Sequence, residues 1–172
     1  NQIFCLEYVG KTMKFTTSEM KRMYCNTVLK GYSLGDAAFE VWHFCNNEPD
    51  ANKLAKLVQN KSKQATASLY DYYEYENEPI PKKGDYSVIT DFLGVPQAII
   101  QTTSVELVPF NEVTADFARI EGEGDKSLTY WRKVHETFFT EEAKICNTEF
   151  TPESLVICEI FRLTKNLNIV NT

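Results

Sequence analysis

The chain has 172 residues, 43% of them apolar and 24% charged, with a formal net charge of −6. These are values for one globular domain, or one domain with an extension, able to bury roughly 70% of its unfolded surface without a covalent staple. An acidic balance opposes broad attachment to phosphate backbones, so a nucleic-acid partner has to be met by the few charges of a local pocket.

Thr16-Thr17-Ser18-Glu19 has the form of a capping box, followed by Met20, Met23, Tyr24 and Val28 at helical spacing and by Gly31 as a stop. Residues 1–35 are therefore expected to form a helical extension to a main domain over 36–172. Phe39 to Phe44 alternates as a half-buried strand. Pro49-Asp50 opens a short helix with Leu54, Leu57 and Val58 on one face, broken by the polar run Gln59 to Gln64. Ala65 to Tyr70 reads as a strand and 71–85 as an acidic loop closed by Pro79, Pro81 and Gly84.

Tyr86 to Asp91 and Gln97 to Val108 read as a strand pair turning at Leu93-Gly94-Val95-Pro96. Thr114 caps a short helix to Ile120. Asp125 is expected to cap a longer one bearing Leu128, Trp131, His135 and Phe138 on one face. Leu155 to Leu163 is an almost unbroken apolar run, hence a buried strand. Strands mixed with connecting helices give a mixed α/β (α+β) domain.

Three stretches concentrate chemistry. Lys61-Ser62-Lys63-Gln64-Ala65-Thr66-Ala67-Ser68 puts two lysines and three hydroxyls at a helix-to-strand junction. An ammonium beside a threonine hydroxyl holds an oxyanion or phosphate, and a desolvated lysine acts as a base; the alternative is a solvated basic turn. Glu121-Gly122-Glu123-Gly124-Asp125 sets three carboxylates around two glycines. Gly122 as a helix stop and Asp125 as a cap account for part of it, leaving Glu121 and Glu123 unassigned. Tyr70, Tyr72, Tyr73 and Tyr75 offer faces for stacking on bases, or simply pack at a rim.

His43 and His135 are flanked by apolar residues and read as core or rim residues. The five cysteines are odd in number, widely spaced and without a C-x-x-C pair. A disulfide framework, a zinc site or any other metal is therefore not expected, and a reducing cytoplasm fits best. No stretch of about 20 apolar residues is present to span a membrane, and the first residues lack the pattern of a signal peptide.

Trp42-His43-Phe44, Lys63 to Ser68, Pro81-Lys82-Lys83-Gly84-Asp85, Phe117 to Asp125 and Tyr130-Trp131-Arg132 occur in an order that resembles the bacterial branch of the ASCH family, from about Phe39 to Leu163. The resemblance implies a PUA-like β-barrel of about five or six strands with helices around it. It implies a cleft for RNA, a nucleotide or a modified nucleoside beside the Lys63-x-x-Thr66 loop. Some small family members hydrolyse the amide of N4-acylated cytidines and others are reported as ribonucleases. By that resemblance Lys63, Thr66 and Glu121 form the catalytic set, with no cofactor required; Lys61, Ser68, Tyr70, Trp42 and Glu123 are expected to bind the ligand.

In the hydrolytic version Thr66 attacks the carbonyl, Lys63 takes its proton or holds the oxyanion, and Glu121 orients Lys63 or shuttles a proton. The alternatives are a non-catalytic RNA- or nucleotide-binding module and a partner-binding protein. No DNA and no membrane are expected as partners, and the chain is expected as a monomer or weak homodimer. Lys61 stands where the family loop carries glycine. Lysine resists a positive φ, so Asn60 is expected to take over the turn, and the added charge favours a phosphorylated ligand.

Overall fold

The computed structural model describes residues 4–8, 11–15 and 39–167. In chain order the strands are β1 (Phe4–Tyr8), β2 (Lys11–Phe15), β3 (Phe39–Trp42), β4 (Ala65–Leu69), β5 (Tyr86–Thr90), β6 (Pro96–Pro109) and β7 (Leu155–Asn166). The helices are α1 (Glu48–Gln59), α2 (Tyr70–Glu76), α3 (Ala115–Glu121) and α4 (Leu128–Ile145), with a 3-10 turn at Phe110–Glu112. The fold is mixed α+β. β1 and β2 pair antiparallel as a separate sheet, and the other five strands run in the order β3-β5-β6-β7-β4. An extension expected to be helical over 1–35 thus carries a strand pair at its start. The helix read over Met20 to Val28 lies outside the described residues.

The chain divides into two compact units, one of residues 1–59, 84–101 and 163–172, the other of 60–83 and 102–162. In the first, β3 lies parallel to β5, and β5 pairs antiparallel with the start of β6. The β5–β6 turn forms because Asp91 accepts the Val95 N–H on its side chain at 2.8 Å and Gly94 takes φ +84°. α1 starts where Asn47 accepts the Asp50 N–H on its side chain and donates to the Asp50 carboxylate, and its Ala51, Leu54, Ala55 and Val58 are buried.

In the second unit, β4 pairs antiparallel with β7 in the register Ala65↔Ile160, Thr66↔Glu159, Ala67↔Cys158. Ala65, Leu69, Val156 and Cys158 belong to a core completed by Phe110, Phe117, Trp131 and Phe139 from the helical side. β4 is the terminal strand of the sheet order, so its outer backbone groups need partners from elsewhere.

Two local elements differ from the sequence expectation. Residues 70–76 form helix α2 and not a loop. It ends on Asn77 in the left-handed region (φ +53°), whose N–H returns to the Glu74 and Tyr73 carbonyls. Asparagine tolerates that conformation and supplies the stop without glycine. The cap of α4 is Ser127, whose hydroxyl accepts the Tyr130 N–H at 3.1 Å. Asp125 sits two residues earlier and accepts the Ser127 N–H at 2.8 Å. The Thr114 cap and the Gly122 stop of α3 are as expected.

Candidate functional site

The site lies within the second unit, where the loop preceding β4 meets the C-terminal end of α3. The Gln64 N–H donates to the Ile120 carbonyl at 3.1 Å, pinning the loop to the helix. Gly122 takes φ +77°, and a Cβ there would lie 1.8 Å from the Ser62 carbonyl oxygen, so only glycine lets the two backbones touch. Gly124, at φ +54°, lies against the Tyr130 side chain, where a Cβ would come 2.3 Å from the ring. The carboxylate between them, Glu123, is thereby placed by backbone constraints on both sides.

Into this junction the chain sends an ion cluster. Lys63, 1% exposed, donates from Nζ to Glu121 Oε1 at 3.2 Å and to Glu123 Oε1 at 2.5 Å. Glu121 is equally buried. Its Oε1 also accepts the Ala67 N–H, which points off the outer edge of β4, at 3.1 Å, and lies 3.5 Å from His135 Nε2. Its Oε2 accepts the Trp131 indole N–H. His135 Nδ1 donates to the Trp131 carbonyl at 2.9 Å, which turns Nε2 to the Glu121 carboxylate. The His135 ring stacks on Trp131 with centroids 4.1 Å apart.

The charges follow from these contacts. Burial would strip Lys63 of its proton, but Glu121 and Glu123 outweigh it and hold the amine above its ordinary value. Burial would likewise favour neutral Glu121, yet Lys63, His135 and the Trp131 N–H hold the carboxyl well below its usual range. His135, pushed down by burial, is raised on balance by Glu121. Lys63 is an ammonium and Glu121 a carboxylate, so the pair supplies fixed charge and hydrogen bonds and no proton acceptor at Lys63.

The remaining predicted residues separate. Thr66 and Ser68 are half-buried on β4, alternating with the buried Ala65 and Leu69, so their side chains leave the opposite face of the strand. The Thr66 hydroxyl makes no hydrogen bond to another described residue, Lys63 and Glu121 included. Tyr70 begins α2 and donates to Glu74 at 3.0 Å. Trp42 belongs to the first unit, where it meets Phe44 edge-on at 4.8 Å. Lys61 is exposed and takes the positive φ (+63°) itself, while Asn60 supports the turn by accepting the Ser62 N–H at 2.9 Å. The turn expected of Asn60 is thus made by the lysine.

Two members of the cluster escape sequence reading. Trp131 and His135 have the spacing of core residues, and they are core residues whose polar atoms turn to Glu121. Apart from the cluster, Glu159 is the single carboxylate in the apolar run of β7. It is 6% exposed and accepts the Thr102 hydroxyl at 2.5 Å. Among the described residues no cluster of His, Cys, Asp and Glu suited to a metal occurs.

Residues 40–165 match the family model of the ASCH domain. The chain belongs to the ASCH family. The crystal structure of an ASCH domain from Lactobacillus crispatus JV V101 is 33% identical, with TM-score 0.75 over 84% of this chain and 94% of that one. A crystal structure of a protein from Enterococcus faecalis V583, assigned there to a family of unknown function, is 34% identical. Its TM-score is 0.75 over 86% of this chain and 89% of that one. No curated protein matches the chain. The ASCH assignment fixes the fold as α+β of the PUA-like type. No helix among the described residues is long and apolar enough to cross a membrane.

Proposed function

We propose that this ASCH chain binds RNA, a nucleotide or a modified nucleoside beside the Lys63–Thr66 loop. The observation that carries this reading is the desolvated cluster of Lys63, Glu121, Glu123 and His135 next to the polar face of β4. Burying charge is costly, and a hydrophobic core has no need of it, so three buried ionisable groups, Lys63, Glu121 and His135, with partly exposed Glu123 at their edge, support a working site here. Glu123 is the more exposed of the two carboxylates on Lys63, at 17%, and a ligand oxygen competes with it for the ammonium. Thr66 and Ser68 add hydroxyl partners. Titration with nucleosides, nucleotides and short single-stranded RNAs tests this reading. Saturable binding weakened by Lys63→Ala and Thr66→Ala supports it, and affinities unchanged in both variants contradict it.

A second reading adds hydrolysis of an N4-acylcytidine-type amide. It is favoured by the Thr66 hydroxyl, which makes no hydrogen bond to another described residue. Thr66 is then the nucleophile and Lys63, already charged, the donor that stabilises the oxyanion. Release of cytidine from N4-acetylcytidine by the wild type, lost in Thr66→Ala, is the expected result.

A further inference from the structure

If Thr66 is a nucleophile, something has to take its proton. Lys63 is occupied as an ammonium between Glu121 and Glu123, and the Glu121 carboxylate is engaged by Lys63, Ala67, Trp131 and His135 at the outer edge of β4. The Thr66 side chain leaves β4 by the face opposite the Ala65–Leu69 core. The residue directly across on β7 is Glu159. Partners directly opposite in an antiparallel pair share a face with Cβ atoms about 5 Å apart, within the reach of a glutamate side chain. Thr102 on β6 donates its hydroxyl to the Glu159 carboxylate at 2.5 Å, so three adjacent strands present Thr66, Glu159 and Thr102 in a row.

Elsewhere β7 is apolar from Leu155 to Ile157 and again at Ile160 and Phe161, so Glu159 is the one carboxylate on this strand. We propose that Glu159 is the general base for Thr66, oriented by Thr102. The inference rests on the hydrolytic reading above.

Thr66 Oγ bonds to the amide carbon as its proton passes to the Glu159 carboxylate and the carbonyl electron pair moves onto oxygen. Collapse breaks the C–N bond, and the leaving N4 nitrogen takes the proton from Glu159, leaving an ester on Thr66. Water then adds to the ester carbon, giving a proton to Glu159. Collapse breaks the C–Oγ bond, Thr66 Oγ recovers the proton, and the carboxylic acid departs.

The experiment is steady-state hydrolysis of N4-acetylcytidine by the full chain and by Glu159→Gln, Glu159→Asp and Thr102→Val, with mass spectrometry for acylated Thr66. Glu159→Gln keeps shape and removes the proton acceptor. Its kcat is expected to fall at least about 100-fold, the order of a lost general base, with KM within about threefold. Glu159→Asp, which keeps a carboxylate, is expected to recover part of that loss. A Glu159→Gln kcat within about threefold of wild type overturns the proposal.

Should Glu159→Gln fail to fold, Thr102→Val is decisive. A kcat reduced about tenfold at unchanged KM supports the proposal, and an unchanged kcat overturns it. Turnover by the wild type that persists in Thr66→Ala also overturns it, while leaving hydrolysis itself standing. No turnover by the wild type removes the hydrolytic reading and this inference together.

Discussion

Lys63 and Glu121 are 58 residues apart in sequence and meet with Nζ 3.2 Å from Oε1, each side chain about 1% exposed. Breaking a buried pair from one side strands the other charge. Lys63→Ala is therefore expected to cost about 3–5 kcal/mol, with both Glu121 and Glu123 left without their ammonium. Urea unfolding of wild type and variant measures it; a loss under about 1 kcal/mol contradicts the pairing.

The contact between Gly122 and Ser62 predicts a sharper steric effect. Gly122→Ala places a methyl group 1.8 Å from a carbonyl oxygen, in a residue at φ +77°. Backbone cannot yield there without separating α3 from the loop before β4. A loss well above the roughly 1 kcal/mol of a simple left-handed penalty is expected in thermal unfolding. At Lys61 the sign reverses. Lysine pays for φ +63°, and Lys61→Gly is expected to raise stability by up to about 1 kcal/mol.

Much of this junction was legible in the sequence. Thr114 as a cap and Gly122 as a stop follow from residue chemistry, and the ordered motifs placed Lys63 beside Glu121. α2 was not legible. Tyr70 to Glu76 has no apolar stripe, its two downstream prolines suggest loop, and its stop is an asparagine. The direction of Thr66 was also hidden. Motif spacing groups it with Lys63 three residues earlier, whereas strand alternation turns it toward the face it shares with Glu159. Periodicity identified Trp131 and His135 as buried but gives no account of where an indole N–H or an imidazole nitrogen points.

His135 links the cluster to pH. Its folded value is raised above the ordinary 6.5 by Glu121. The stabilisation is present in full below that ordinary value and is lost as pH rises through the folded value. The stability difference between wild type and His135→Gln is thus expected to shrink from pH 6 to pH 9. A difference constant across that range, measured by thermal unfolding, contradicts an imidazolium facing Glu121.

Glu142 behaves in the opposite sense to a paired carboxylate. Burial pushes its carboxyl up to about 7. Ionising it is therefore unfavourable in the folded state, and stability falls as pH climbs from the ordinary carboxylate value toward 7. Glu142→Gln is expected to be neutral near pH 4 and stabilising by on the order of 1–3 kcal/mol at pH 8. Equal effects at both pH values contradict this.

The central claim, that a nucleobase-containing ligand engages the Lys63–Glu121 cluster, is read most directly at the Trp131 indole N–H, which donates to Glu121. With only Trp42 and Trp131 in the chain, Trp42→Phe assigns the two indole resonances of a 15N-labelled sample. Titration with cytidine, cytidine monophosphate, N4-acetylcytidine and a short single-stranded RNA is expected to shift the Trp131 signal saturably with at least one of them, and to lose that response in Lys63→Ala. A Trp131 signal unmoved by every one of these at millimolar concentration contradicts the account.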